Sequence, residues 1–456
     1  MTRPLKIGNA SGFWGDQPEA ALRLLTDQPD LDYLTLDYLA EVSLSIMAAV
    51  RAKDANAGYA RDFVDVVSSL CPFWSGGGTT RIVTNAGGLN PRACAEACVQ
   101  VLCTANLRHL KVAVVEGDDV LTILGPATKA FANLETGRKL SSIAQRLVTA
   151  NAYLGSEPIA DALLEGADIV ITGRVADPSL TVGPCMAQFG WSLSNYDRLA
   201  GATVAGHLIE CGTQACGGFS TDWINVPGND AIGFPFVEIS EDGSCVVTKP
   251  KGTGGAVTVQ NLKEQLLYEI GDPGCYVSPD VTVSLLALKA EQVGPDRVLV
   301  SGATGRCPTN SYKVSATYRD GYKAHGMITV FGHDAVRKAR IAGEGILHRL
   351  RTAGCEYREH LIECLGSGDC VKGIASNGVE SKLVETVLRI SVAADAKPPV
   401  ERFTKEIAPL VTCGPQGVTG YASGRPKVLP IFGYWPTLIA KHDVKPSFSF
   451  VNPSRP

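Results

Sequence analysis

The feature that most constrains the fold is an alternation over the first 190 or so residues, in which short apolar runs are followed by stretches of helical periodicity. Strand-like runs fall at 5–8, 33–36, 81–84, 111–115 and 168–172, and helical patterns at 18–27, 43–53, 59–70, 91–105, 157–165 and 177–189. Asp16 is a cap candidate for the first of these helices, with Pro18 in its opening turn. Strands and helices alternating at this spacing predict an α/β fold with a mostly parallel sheet and flanking helices.

After about residue 230 the pattern changes. Short β-branched runs at 236–239, 245–248, 256–259 and 298–300 are separated by Gly-rich turns. A hairpin is expected from 313–318 and 324–331 around Asp320-Gly321, then a helix at 334–353, a strand at 387–392, a helix at 400–410 and an extended tail from 445. The expected organisation is an α/β domain over 1–230, carrying the active-site loops, and a mixed α+β domain over 231–456 that ends in the tail.

Composition narrows the function classes. Of 456 residues, 45% are hydrophobic and 19% charged, with a net charge of −4. There is no basic field to drive sequence-independent nucleic-acid binding. No apolar run reaches the roughly 18 residues of a membrane span. The opening residues run straight into a strand-like segment, so a cytoplasmic location is expected. Fourteen cysteines in a long chain with no Cys-x-x-Cys pattern read as small buried hydrophobes, including Cys94, Cys98 and Cys103 on one expected helix. Gly-x-Gly-x-x-Gly, the P-loop and the Gly-x-Ser-x-Gly elbow are all absent, so dinucleotide, ATP and serine-hydrolase chemistry lose their usual sequence support.

In an open parallel sheet, ligands bind outside the carboxyl ends of the strands. The expected strands end in Gly8-Asn9-Ala10-Ser11-Gly12, Asp37-Tyr38-Leu39-Ala40-Glu41, Asn85-Ala86-Gly87-Gly88-Leu89-Asn90, Glu116-Gly117-Asp118-Asp119 and Gly173-Arg174-Val175-Ala176-Asp177. Polar and ionisable groups would thus gather at one rim. The Asn85–Asn90 loop opens a helix and can present free N–H groups to an anion, or it can be a tight turn with no ligand. Asp37 and Glu41, four apart, would face one way on a helical turn and could divide acid and base work or hold Mg²⁺. Arg174 can clamp a carboxylate, with Asp177 as base or as a helix cap. Glu210 is a candidate base, and Cys211 a candidate nucleophile with His207 one turn away.

These same segments resemble the AtuA family of acyclic terpene utilisation proteins: IGNASGFWGD at 7–16, LDYLAE at 36–41, TNAGGLNP at 84–91, GADIVITGRVADPS at 166–179 and ECGTQ at 210–214. The match continues through YEIGDP at 268–273 and KVSATYRDGY at 313–322. The resemblance implies a role in the breakdown of acyclic terpenes, whose intermediates are branched acyl-CoA thioesters and related acids. Longer members carry a small C-terminal ferredoxin-like domain, which implies a separately encoded small subunit as a partner here.

Together these readings lead to the expectation of a hydro-lyase acting on a small branched hydroxy- or unsaturated acid or its acyl-CoA thioester. Proton abstraction beside a carbonyl and loss of a hydroxyl need a base, an acid and a group to hold the enolate oxygen. Base and acid are expected among Asp37, Glu41, Asp177 and Glu210. Substrate binding is expected from Asn9, Ser11, Asn85, Gly87, Gly88, Asn90, Arg174 and Gln214. Mg²⁺ is the one cofactor considered, and a homo-oligomer is the expected assembly. The alternatives are a hydrolase or acyl transferase using Cys211, and a non-catalytic acyl-CoA-binding subunit of a catabolic complex.

Overall fold

The computed structural model describes residues 3–40, 42–125, 131–371, 373, 380–421 and 423–452. They form two compact units, Met1–Thr317 with Tyr434–Pro456, and Tyr318–Gly433. Residue 230 lies inside the first unit.

The first unit opens as an alternation: β1 Leu5–Asn9, α1 Ala20–Asp27, β2 Tyr33–Leu36, α2 Ser43–Arg51, α3 Asp62–Ser75, β3 Arg81–Thr84, α4 Pro91–Thr104 and β4 Val112–Glu116. It continues through α5 Leu121–Leu124, β5 Leu147–Ala152, α6 Glu157–Leu164, β6 Ile169–Thr172, α7 Ser179–Phe189 and α8 Tyr196–Glu210. Strands β1, β2, β3, β6 and β4 lie side by side in that order, and every neighbouring pair is parallel. Their composition follows from this placement. The Tyr-Leu-Thr-Leu of β2 and the Ile-Val-Ile-Thr of β6 are buried throughout, because helices cover both faces of a parallel sheet. On α4, Cys94, Cys98 and Leu102 recur every fourth residue and form the stripe that packs into the core. The cysteines act there as small hydrophobes.

The sheet extends antiparallel beyond this centre through β7 Phe236–Ile239 and β8 Cys245–Thr248. Next come α9 Val259–Leu267, β9 Tyr276–Val277, β10 Thr282–Ser284, β11 Lys289–Gly294, β12 Arg297–Ser301 and β13 Thr304–Arg306. Strands β12 and β11 complete that side of the sheet, while β13, β10 and β9 form a small separate one.

The second unit holds most of β14 Ser311–Phe331, then α10 Ala335–Thr352, β15 Glu359–Leu365, β16 Glu385–Ala394, α11 Lys397–Phe403, α12 Leu410–Cys413 and β17 Val418–Tyr421. Its strand order is β15-β16-β14-β17 with all neighbours antiparallel. A β-α-β-β-α-β chain with its first and third strands central is a split βαβ arrangement of ferredoxin-like type. The chain then returns to the first unit through β18 Leu429–Ala440 and ends in β19 Ser447–Val451. No helix among the described residues is long and apolar enough to cross a membrane.

Several expectations need correction. The 256–259 run is not a strand: the Thr258 side chain accepts from Asn261 N and starts α9. Asp320-Gly321 does not turn a hairpin, because β14 runs through it. Gly321 takes a positive φ of 90°, and a Cβ there would lie 2.4 Å from Ala394 O, so the position suits glycine inside the strand. Residues 400–410 are shared between two short helices. The tail is not merely extended: Ser447-Phe448-Ser449-Phe450-Val451 pairs antiparallel with β4 and covers that edge. Asp16 does not cap α1. Its carboxylate accepts from Gly12 N and Gln17 N.

Gly87 shows how tightly the strand ends pack. A Cβ there would stand 2.5 Å from both Thr172 O and Pro91 Cβ. Gly87→Ala should therefore cost about 1–3 kcal/mol, read by urea denaturation; an unchanged midpoint would contradict this packing.

Candidate functional site

Because β1, β2, β3, β6 and β4 are parallel, their carboxyl ends share one rim, and the polar residues there bond mainly to one another. Asn9 donates from Nδ2 to the carbonyls of Ile209 (2.6 Å) and Glu210 (2.9 Å), satisfying acceptors that a helix C-terminus leaves open and tying β1 to the end of α8. Ser11 Oγ donates to Asp37 O at 2.9 Å. Asn85 Nδ2 donates to Asp37 Oδ1 at 2.7 Å, and its Oδ1 accepts from Tyr38 N. Arg174, only 2% exposed, donates to Leu39 O and to Asp177 Oδ1, each at 2.5 Å, and its guanidinium lies 4.1 Å from the centre of the Tyr153 ring. Its backbone N–H donates to Asp118 Oδ2, which also accepts from Asn151 Nδ2. Burial pushes Asp37 and Asp118 each up to about 6, against the pull of Arg174 and Asn85 on Asp37 and of the Arg174 N–H and Asn151 on Asp118.

Beside this network, within the first unit, lies a cavity of ≈ 690 Å³. That volume is within the usual range for small-molecule sites. Its polar lining includes Asp177 after β6, His207 and Glu210 at the end of α8, Glu269 after α9, Tyr276 on β9 and Lys313 on β14. Leu134, Ile270, Val277, Pro279 and Leu438 supply apolar wall. Glu269 is held in a left-handed backbone conformation, φ 61°, uncommon for a residue with a Cβ and often found where function fixes a side chain.

The geometry of α8 sets the protonation state of the site. Every residue from 199 to 209 is buried, so the polar side chains of its last turn depend on protein partners. His207 Nε2 is 3.0 Å from Gln265 O, and a carbonyl can only accept, so Nε2 carries hydrogen. Nδ1 is 2.8 Å from Glu210 Oε1. Burial lowers the His207 pKa and keeps the ring neutral. Burial, reinforced by the charges of Asp177 and Glu269, holds Glu210 well above the usual carboxylate range. One proton thus lies between Glu210 Oε1 and His207 Nδ1. Glu210 Oε2 is buried with no hydrogen-bond partner among the described residues.

The model of the family described as "Acyclic terpene utilisation family protein AtuA" matches residues 5–450. The chain belongs to the AtuA family. No curated protein and no solved structure matches it.

In this AtuA-family chain the sequence-expected residues divide. Asp177 and Glu210 line the cavity. Asn9, Ser11, Asp37, Asn85 and Arg174 form the network behind it, and Arg174 is committed to protein acceptors. Asp37 follows β2 in an extended segment, not a helical turn, and Glu41 lies outside the described residues. The Asn85–Asn90 loop is packed against 58–60 through Ala60 N to Ala86 O and Leu89 N to Gly58 O, with Gly87 and Gly88 buried. Asn90 caps α4 by accepting from Ala93 N. Gln214 borders a different depression, with Phe219 and Tyr268. Neither the loop, Asn90 nor Gln214 contributes to the cavity lining. Cys211 has lost its proposed base, since both ring nitrogens of His207 are engaged elsewhere, and burial raises its thiol pKa. No group of three or more His, Cys, Asp or Glu among the described residues is arranged to hold a metal ion.

Glu269, Tyr276, Tyr153 and Lys313 were not singled out from the sequence as site residues. Glu269 and Lys313 nevertheless belong to two of the segments that carry the family resemblance, and this was the available signal.

The buried acids make stability pH-dependent in a definite direction. Their folded pKa of about 6 exceeds the unfolded value of 3.8, so the stabilisation they give is complete below about pH 4 and is lost as pH rises through 6. Asp37→Asn and Asp118→Asn, neutral throughout, should each gain about 1–3 kcal/mol relative to the parent chain between pH 4 and 7.5. Urea unfolding at the two pH values checks this; a gap that stays constant or shrinks would contradict it.

Proposed function

We propose that this AtuA-family chain is a lyase of hydro-lyase type, adding water to or removing it from a small branched hydroxy- or unsaturated acid or its acyl-CoA thioester, in acyclic terpene or related carboxylic-acid catabolism. The observation that carries the reading is the 2.8 Å contact of Glu210 Oε1 with His207 Nδ1 at the wall of a cavity that also presents Asp177. Elimination of water needs one group to take a proton from carbon and another to protonate the departing hydroxyl. The neutral Glu210 carboxyl gives its proton to carbon in the hydration direction and takes one back in dehydration. Asp177 handles the hydroxyl proton, positioned by Arg174. Lys313 offers an anchor for a carboxylate or thioester oxygen. Asp37, Asn85 and Asp118 act through Arg174 as positioning residues.

The test is incubation of the purified chain in H₂¹⁸O with branched hydroxy acids, unsaturated acids and their CoA thioesters, followed by mass spectrometry. One class should gain or lose labelled water. Glu210→Gln and Asp177→Asn should each slow that reaction by about 10²–10⁴, while Cys211→Ser retains it. Full turnover by Glu210→Gln, or no water added or lost anywhere in the panel, would overturn the reading.

A further inference from the structure

An enolate intermediate needs donors aimed at its oxygen, and the two groups expected to supply them are committed elsewhere. Arg174 spends its donors on Leu39 O and Asp177, and the Asn85–Asn90 loop is packed into protein. The cavity instead gathers groups that favour positive charge. Asp177, Glu210 and Glu269 line it together, with Lys313 as the lone Lys or Arg of the lining among the described residues. The rings of Tyr153, Tyr276 and Tyr312 line it as well, and the faces of tyrosine rings attract cations. Two of these rings already do so within the protein: Lys313 Nζ lies 5.0 Å from the centre of Tyr153, and Lys441 Nζ lies 5.2 Å from that of Tyr312. Tyr276 packs beside His207, with ring centres 5.8 Å apart.

We infer that the reacting part of the substrate is an uncharged branched alkene or the corresponding tertiary alcohol, and that water is added or lost through a transition state with positive charge on the branched carbon. This rests on the reading of the cavity as a hydro-lyase site and narrows its substrate class. In the hydration direction the neutral Glu210 carboxyl gives its one proton to the less substituted alkene carbon. The π pair becomes the new C–H bond and leaves the branched carbon electron-poor, facing Asp177, Glu269 and the Tyr276 ring. Water bonds to that carbon and releases a proton to Asp177. Return of this proton from Asp177 to the Glu210 carboxylate closes the cycle, so alkene and water become alcohol with no net change in the enzyme. Dehydration is the same path reversed. Glu269 takes no proton in either direction; its charge stabilises the cation.

Three probes with one heptyl tail separate charge from shape: N,N-dimethylheptylamine, cationic at the branched position, 2-methyl-2-nonanol, neutral, and 2-methylnonanoate, anionic. Titration calorimetry of the full chain at pH 7.5 should rank the ammonium at least about tenfold tighter than the alcohol, with the carboxylate weakest. Glu269→Gln should abolish most of that preference, with a thermal unfolding midpoint unchanged to within a few degrees showing that the variant is folded. Asp177→Asn should act in the same direction. Equal binding of ammonium and alcohol, or an ammonium preference that Glu269→Gln leaves intact, would overturn the inference. Tightest binding of the carboxylate would overturn it while leaving the acid–base reading of the cavity standing. Failure of all three probes to bind would overturn both.

Discussion

A helix buried on every side cannot send a titratable side chain to water, and α8 carries two of them in its last turn. The remaining architecture of the site depends on how that problem is solved. His207 and Glu210 satisfy each other, the Gln265 carbonyl fixes which ring nitrogen carries hydrogen, and Asn9 takes the helix-end carbonyls of Ile209 and Glu210. Ionising either partner would leave a charge in a poorly solvated setting, so the pair stays neutral and holds a proton at the cavity wall. That is the condition a carboxyl needs for acid–base work near neutral pH.

The strand ends solve a second problem of the same kind. Arg174 is carried into the interior by β6 and must find acceptors there. It finds them on the β2 side through Leu39 O, on its own loop through Asp177, and through its backbone N–H at Asp118 after β4. Arg174 therefore binds three strand ends into one rim, two through its guanidinium and one through its backbone N–H, and aims Asp177 at the cavity. Asp118 holds the Arg174 backbone, Asp37 lies within reach of its charge, and Asn85 holds Asp37, which is why these three are assigned to positioning.

Much of this was legible in the sequence because it is periodic. The bounds of β2, β3, β7 and β8 agree with the apolar runs that predict them, and the gathering of polar strand ends follows from parallel pairing. Asp177, Arg174 and Glu210 stood out as ionisable groups at element ends. The sequence shows where a side chain begins but not what takes it up, so Asn9, Ser11, Asn85 and Arg174, read as substrate ligands, instead bond to protein. Glu269 and Tyr276 sit in a segment with no helical or strand period, and Lys313 lies near the start of a strand whose Asp-Gly reads as a turn. Their approach to α8 is a long-range property of packing. The ferredoxin-like arrangement of the second unit was also hidden. Its first strand was divided into a hairpin and its second helix is broken in two, although the resemblance had placed a domain of this type outside the chain.

Acid–base work at the cavity wall depends on the protonation of one pair, and nitrogen NMR of the chain labelled with ¹⁵N-histidine reads it directly. Between pH 6 and 8, His207 should give the signature of a neutral ring with hydrogen on Nε2 and a bare Nδ1 accepting a hydrogen bond. The signal should disappear or shift in Glu210→Gln, whose amide cannot supply the carboxyl proton. Two protonated nitrogens on His207 across that range would mean that Glu210 is ionised beside an imidazolium. The proton assigned to the carboxyl would then belong to the ring, and the acid–base mechanism built on it would fall.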